Sequence, residues 1–263
     1  MRLEMLNLGA TVRSIVVPDR EGVMTDVALG FDAVKAYEND QLSVGSTLGR
    51  VAGRIRDARC AIESKEYFLA PNDHPHHRNG GAKNPLSKKV WDYTLLDDGS
   101  GVIFSVKSHD GEEGYPGNVT VQVSYVLTNH NEILVQYSAS KIVDLPSTRQ
   151  TPQPLMQRKV GGTSRIYCFD PTQAKSSKKF KHMIRISSNK SGIDLNVSST
   201  QSCVRLSTGL ELSGIIGKQG KQYRSNSAFV LGCQAFEDAC NQVRREDENN
   251  KREEKVTRLN KEN

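Results

Sequence analysis

The sequence predicts an all-β protein, a large antiparallel β-sandwich. Short runs alternate apolar with polar residues, turn-forming clusters of Gly, Pro, Asn and Asp separate them, and amphipathic helical periodicity is almost absent between them. The clearest instance surrounds Asp110-Gly111-Glu112-Glu113-Gly114-Tyr115-Pro116-Gly117. Val102, Phe104 and Val106 lead into this turn, and Val119, Val121, Val123, Tyr125 and Leu127 lead out of it. A chain of 263 residues with 36% hydrophobic content can bury an ordinary core, as one large β domain or two small ones.

Taken in order, residues 6–29 read as two strands joined across Pro18-Asp19-Arg20-Glu21-Gly22, where Pro and Gly end one run before the next begins. Residues 31–48 are mixed and read as loop, with a short helical turn near 33–37. Residues 49–59 gather Arg50, Arg54, Arg56 and Arg59. A guanidinium offers a rigid fork of donors suited to sugar hydroxyls, whereas a solvated arginine face is the plainer alternative. The loop Asn72-Asp73-His74-Pro75-His76-His77-Arg78-Asn79-Gly80-Gly81 holds the one histidine cluster. It lacks a second ligand group at metal-site spacing, so no metal is expected.

Residues 90–96, 102–106, 119–127 and 133–139 predict an antiparallel meander with turns at Asp97-Asp98-Gly99 and Asn129-His130-Asn131. Residues 141–163 break the alternation with three prolines and read as an irregular segment. Strand-like runs resume at Tyr167-Cys168-Phe169, 183–186, 193–197 and 228–231. Gly217-Lys218-Gln219-Gly220 misses the phosphate-loop spacing and reads as a turn. Residues 242–263 form a charge-rich tail with little apolar surface, so residues 1–241 are expected to make the domain.

Composition narrows the classes. No run is long enough to span a membrane, and the first residues lack a signal-peptide pattern, so the expected address is the cytoplasm. Sequons at Asn118, Asn189 and Asn196 matter only in the secretory pathway and read as chance. Cys60, Cys168, Cys203, Cys233 and Cys240 are odd in number, scattered and without a Cys-x-x-Cys pair, which predicts reduced thiols. The net charge of +6, densest over 175–182, reads as a solvated loop, with no nucleic-acid partner and no cofactor expected.

The Asp110–Gly117 segment resembles the signature loop of the aldose 1-epimerases, the galactose mutarotases. The same family is suggested by Leu8-Gly9-Ala10-Thr11, Asp26-Val27-Ala28-Leu29-Gly30-Phe31-Asp32 and Gly49-Arg50-Val51-Ala52-Gly53-Arg54-Ile55, the last usually carrying Asn where Gly53 stands. The likeness is close over 6–140 and looser over 164–242. It implies a small-molecule aldohexose as partner and interconversion of its α and β anomers as the family reaction, with Arg54, Asn79, Ser164 and Arg205 at sugar-binding positions.

The resemblance also exposes losses. The family's sugar-binding His is replaced by Asn79, its Asp by Ser164 and its Gln by Arg205, while Gly232 in Leu231-Gly232-Cys233-Gln234 stands at the general-base Glu. The segment carrying the general-acid His is absent from 141–163. No catalytic residue is therefore matched; rescue would fall to Glu237 or Asp238 beyond the strand, or to the His74–His77 loop, where His77 is the nearest substitute for the residue at 79. Two alternatives stand beside the enzyme: a non-catalytic carbohydrate-binding relative, or an unstable product whose missing strands leave open edges and bare apolar faces.

Overall fold

The computed structural model describes residues 1–62, 65–141, 158–160, 164–168 and 180–241. Strands β1 (Arg2–Leu6), β2 (Thr11–Pro18) and β3 (Met24–Asp26) form an antiparallel sheet in that order, so a strand precedes the expected pair. The turn read at 33–37 is the short helix α1 (Val34–Asn39). Two small ribbons follow: β4 (Arg54–Ile55) pairs with β7 (His77–Arg78), and β5 (Arg59–Ile62) pairs with β6 (Lys65–Phe68).

The meander lies close to its expected limits, with β8 (Asp92–Leu95), β9 (Gly101–Ser108), β10 (Val119–Leu127) and β11 (Ile133–Lys141) ordered β11-β10-β9-β8. A second four-stranded sheet has the order β12-β13-β16-β17, from β12 (Arg158–Val160), β13 (Ser164–Cys168), β16 (Cys203–Ser207) and β17 (Val230–Gln234). The hairpin of β14 (Lys181–Ser187) and β15 (Asp194–Ser199) stands beside it in sequence. The architecture is all-β, of sandwich type.

The main core shows why the sheets face one another. Phe104, Val106, Val123 and Tyr125 alternate inward from β9 and β10, and meet Ala10, Leu86 and Trp91, with Leu3, Met5 and Val12 of the first sheet packed against them. Both aromatic polar groups in this core find carbonyls: Trp91 Nε1–H donates to Leu86 O at 3.0 Å and Tyr125 O–H to Ala10 O at 3.4 Å. Among the described residues β11 is the last strand of its sheet and less covered on the same face: Tyr137 lies opposite Val123 and Val135 opposite Tyr125, yet they are 59% and 40% exposed. Among the described residues, no helix is long and apolar enough to cross a membrane.

Two expectations are corrected and one strand is added. Cys168 and Cys203 are joined by a disulfide rather than held as thiols, because β13 and β16 set them directly opposite each other. Their separation of 35 residues gives no hint of that pairing. The segment 141–163 is not wholly irregular: Lys141 closes β11, and Arg158–Val160 pairs with β13. Strand β16 is an addition, hidden in the sequence because Cys203, Val204 and Leu206 do not alternate cleanly around Arg205. Residues 142–157, 161–163, Phe169, Lys175–Lys179 of the basic run and the 242–263 tail lie outside the described residues.

The Gly217–Gly220 segment is a turn that braces the first sheet. Its Lys218 ammonium donates to Arg13 O at 2.5 Å and Ala28 O at 2.9 Å and pairs with Asp26 at 2.6 Å. In the main core, Phe104 is only 3% exposed. Its replacement, Phe104→Ala, is expected to cost about 3–5 kcal/mol of stability. Urea unfolding followed by the fluorescence of Trp91, the single tryptophan, measures it.

Candidate functional site

The floor of the site is one face of the β13-β16-β17 sheet. Arg205 lies opposite Ile166 on one side and Gly232 on the other, while Cys203 lies opposite Cys168 and Gln234. Side chains alternate with period two, so Ser164, Arg205, Gly232 and Gln234 share a face. Arg205 Nε–H donates to Ser164 Oγ at 3.1 Å. A side-chain atom added to Gly232 would meet none of the described residues within 4 Å.

The wall comes from the β4–β7 ribbon and its loops. Arg54 and Arg78 face each other in register, and so do Ile55 and His77 on the opposite face. That register separates guanidiniums from imidazole: Arg54 and Arg78 look toward the site, whereas His77 is fully buried beside Ile55 and edge-on to Tyr115, with centroids 5.3 Å apart. His77 does not substitute for the residue at 79. Its Nδ1–H donates to Ala70 O at 2.7 Å, and burial holds its pKa below the usual imidazole value against the opposing effects of that bond and of Glu113.

Asn79 fixes the loop. Its backbone N–H donates to Gly53 O at 2.9 Å, and Gly53 N–H donates back to Asn79 Oδ1 at 3.0 Å. Both residues have left-handed backbones, φ +52° for Asn79 and +85° for Gly53, a region that glycine and asparagine accept most readily. A side-chain atom on Gly53 would come 3.3 Å from the Gln234 amide nitrogen and 3.6 Å from Glu237 Oε1. The chain past β17 thus turns back and brings Glu237 under the wall. Asp238 anchors that return: its N–H donates to Arg54 O at 3.1 Å, and its Oδ1 accepts from Arg56 N–H at 3.1 Å and Asn241 Nδ2 at 2.6 Å.

Charges are interleaved. Arg54 Nε donates to Asp73 Oδ2; that bond raises the Arg54 pKa against the effect of burial, and the charges of Asp73, Glu237 and Glu211 add to it. Arg78 Nη2 reaches Glu211 Oε2 at 3.4 Å. Burial lowers the Arg205 pKa, with Arg78 and Arg54 adding to the fall and Glu237 and Glu211 opposing it. The four positions expected from sequence therefore converge from both halves of the chain. Arg78, Gln234 and Glu211 escape sequence reasoning, and only Gln234 carries a local signal, in the segment following Gly232. In the remaining histidines, His76 Nδ1 accepts from Asp57 N–H at 3.1 Å, and among the described residues no group of three or more His, Cys, Asp or Glu could hold a metal ion.

The comparisons with known proteins agree with this architecture. The family profile described as aldose 1-epimerase matches residues 1–148, more than half of the chain. The chain belongs to the aldose 1-epimerase family. It is 31% identical to the galactose mutarotase of Bos taurus over 297 residues, covering 92% of this chain and 84% of that protein. The Homo sapiens galactose mutarotase is also 31% identical, over 93% of this chain and 85% of its own. An alignment of 297 residues exceeds the 263 present, so the bovine protein carries stretches with no counterpart here. Of solved structures, the GalM/aldose epimerase homologue from C. elegans superposes with a TM-score of 0.72 at 24% identity, over 90% of this chain and 87% of that one, which extends the agreement to the fold.

The Arg54–Asp73 pair has a pH signature. The hydrogen bond from Arg54 is the main reason the Asp73 carboxyl lies below its ordinary value, with burial opposing it. Its contribution to stability is fully present above the unfolded carboxyl pKa of about 3.9 and is lost as pH falls through the lower, folded value. Thermal melts of wild type and Asp73→Asn should differ at pH 6 and converge as the pH drops well below 4. Equal melting temperatures throughout would remove the pair from the wall.

Proposed function

We propose that this member of the family is a carbohydrate-binding relative that holds an aldose without interconverting its anomers. The observation that carries the reading is Gly232, set opposite Arg205 in the β16–β17 pair, where an added side-chain atom would meet none of the described residues within 4 Å. Anomer exchange requires a base to take the C1 hydroxyl proton and an acid to protonate the ring oxygen. Each positioned group contributes roughly 10²- to 10⁴-fold in rate. A glycine supplies neither, and the register of β7 turns His77 away from the guanidiniums and into the core.

Binding chemistry persists. Arg54, Arg78, Arg205 and the Gln234 amide present N–H donors around the opening, with Ser164 and Asn79 holding Arg205 and the loop in place. On this reading residues 1–241 form one domain, 242–263 a charged tail, and the partner is a small sugar. A second reading is favoured by one observation, the return of Glu237 to within 3.6 Å of the position a Gly53 side chain would take. It makes Glu237 a relocated base.

Polarimetry of freshly dissolved α-D-galactose separates the two. Cooperatively folded wild type is expected to show no acceleration over a boiled control, together with saturable galactose binding that Arg54→Ala weakens at least about tenfold, the loss of one charge-assisted hydrogen bond. Protein-dependent acceleration that disappears in Glu237→Gln would establish the second reading instead. Unchanged affinity in Arg54→Ala would remove the site from carbohydrate binding.

A further inference from the structure

We infer that the aldose this site prefers is an acidic one, carrying a carboxylate or phosphate group, an inference that rests on the carbohydrate-binding reading above. It starts from the polar atoms that have no partner among the described residues. Gln234 is 8% exposed, its amide nitrogen makes no hydrogen bond there, and the buried Nε–H of Arg78 likewise has none. Among the described residues Arg205 makes one hydrogen bond, from Nε to Ser164 Oγ, and none from its terminal amines. All of these are N–H donors.

Buried donors without partners are costly, so a ligand that fits must supply acceptors. A neutral sugar hydroxyl both gives and accepts, and needs an acceptor from the protein in return. Gly232, directly opposite Arg205, has no side chain to offer one. A carboxylate or phosphate has only acceptors to satisfy, and its paired oxygens match the guanidinium fork.

The charges point the same way. Arg54, Arg78 and Arg205 are near enough to repel, since Arg78 and Arg54 both depress the Arg205 pKa beyond what burial does. Three carboxylates face this group. Asp73 is taken up by Arg54, Glu211 lies 3.4 Å from Arg78, and Glu237 lies beside Gly53 at the wall. Arg205, the guanidinium on the floor, is hydrogen-bonded to a neutral serine instead. An anionic group above Gly232 would neutralise Arg205 and relieve its repulsion with Arg78 in one contact.

The test is calorimetric titration of the full-length protein at constant ionic strength with D-galactose, D-galacturonate, galactose 1-phosphate, galactose 6-phosphate and inorganic phosphate. At least one acidic sugar should bind about tenfold or more tightly than galactose, and the uronate and phosphate arms identify which acid. Arg205→Gln should erase that preference, weakening the acidic sugar at least about tenfold more than it weakens galactose. Arg205→Lys, which keeps charge but not the fork, should retain part of it. A cooperative melt confirms that each variant folds. Galactose binding as tightly as the acids would overturn the inference and leave the carbohydrate site standing. Inorganic phosphate matching the sugar phosphates would overturn it as nonspecific anion capture, and absence of all sugar binding from folded protein would overturn both readings.

Discussion

The site depends on one knot of polar contacts that lies behind it, centred on Arg50 and Glu113. The Arg50 guanidinium donates to Ser108 Oγ at 2.8 Å, Pro116 O at 3.0 Å and His109 O at 2.5 Å, so a single side chain ties residue 50 to both ends of the signature loop. Burial lowers its pKa and the charge of Glu112 opposes that fall; Glu112 is in turn held by Lys89 at 2.7 Å. Glu113 reaches the other way and accepts the backbone N–H groups of Ala82 and Asn84. Gly80 and Gly81 permit this approach, because a side chain on Gly80 would fall inside Gly49 and one on Gly81 inside Glu113. With residues 49–50, 80–84 and 108–116 locked together, Gly53 and Asn79 meet, and the wall that carries Arg54 and Arg78 is set.

Much of the fold was legible because one face of the meander is buried. A slip of one residue would turn Phe104, Val106, Val123 and Tyr125 out of the core, so alternation fixes the strands and the face each one buries. The signature loop was legible for another reason, its density of Gly and Pro. Less visible were features decided by pairing across the chain. Cys168 and Cys203 look like scattered thiols until β13 and β16 come together, and β16 lacks the alternation that marks β10.

The site was legible as a set of positions and opaque as a geometry. Arg54, Asn79, Ser164 and Arg205 were singled out by resemblance, but Arg78 sits amid histidines that draw attention first, and only the β4–β7 register shows that Arg78 lies on the opposite face from the buried His77. Glu237 lies beyond its strand in sequence. Its return depends on the Asp238 contacts to the backbone of Arg54 and Arg56, some 180 residues away, which no local pattern encodes.

That assembly from distant segments has a kinetic consequence. Contacts such as Asp238 N–H with Arg54 O, and Tyr223 O–H with Gly30 O at 2.9 Å, close loops spanning most of the chain. Their loop-closure entropy must be met before those contacts reward it, and chains rich in such pairings fold slowly. The β8–β11 meander, built from sequence neighbours, can form early. The candidate site cannot: it is assembled only when the residues after β17 return to the first third of the chain, so during synthesis a ribosome-bound chain presents a finished sheet but an incomplete candidate site until residue 241 has emerged.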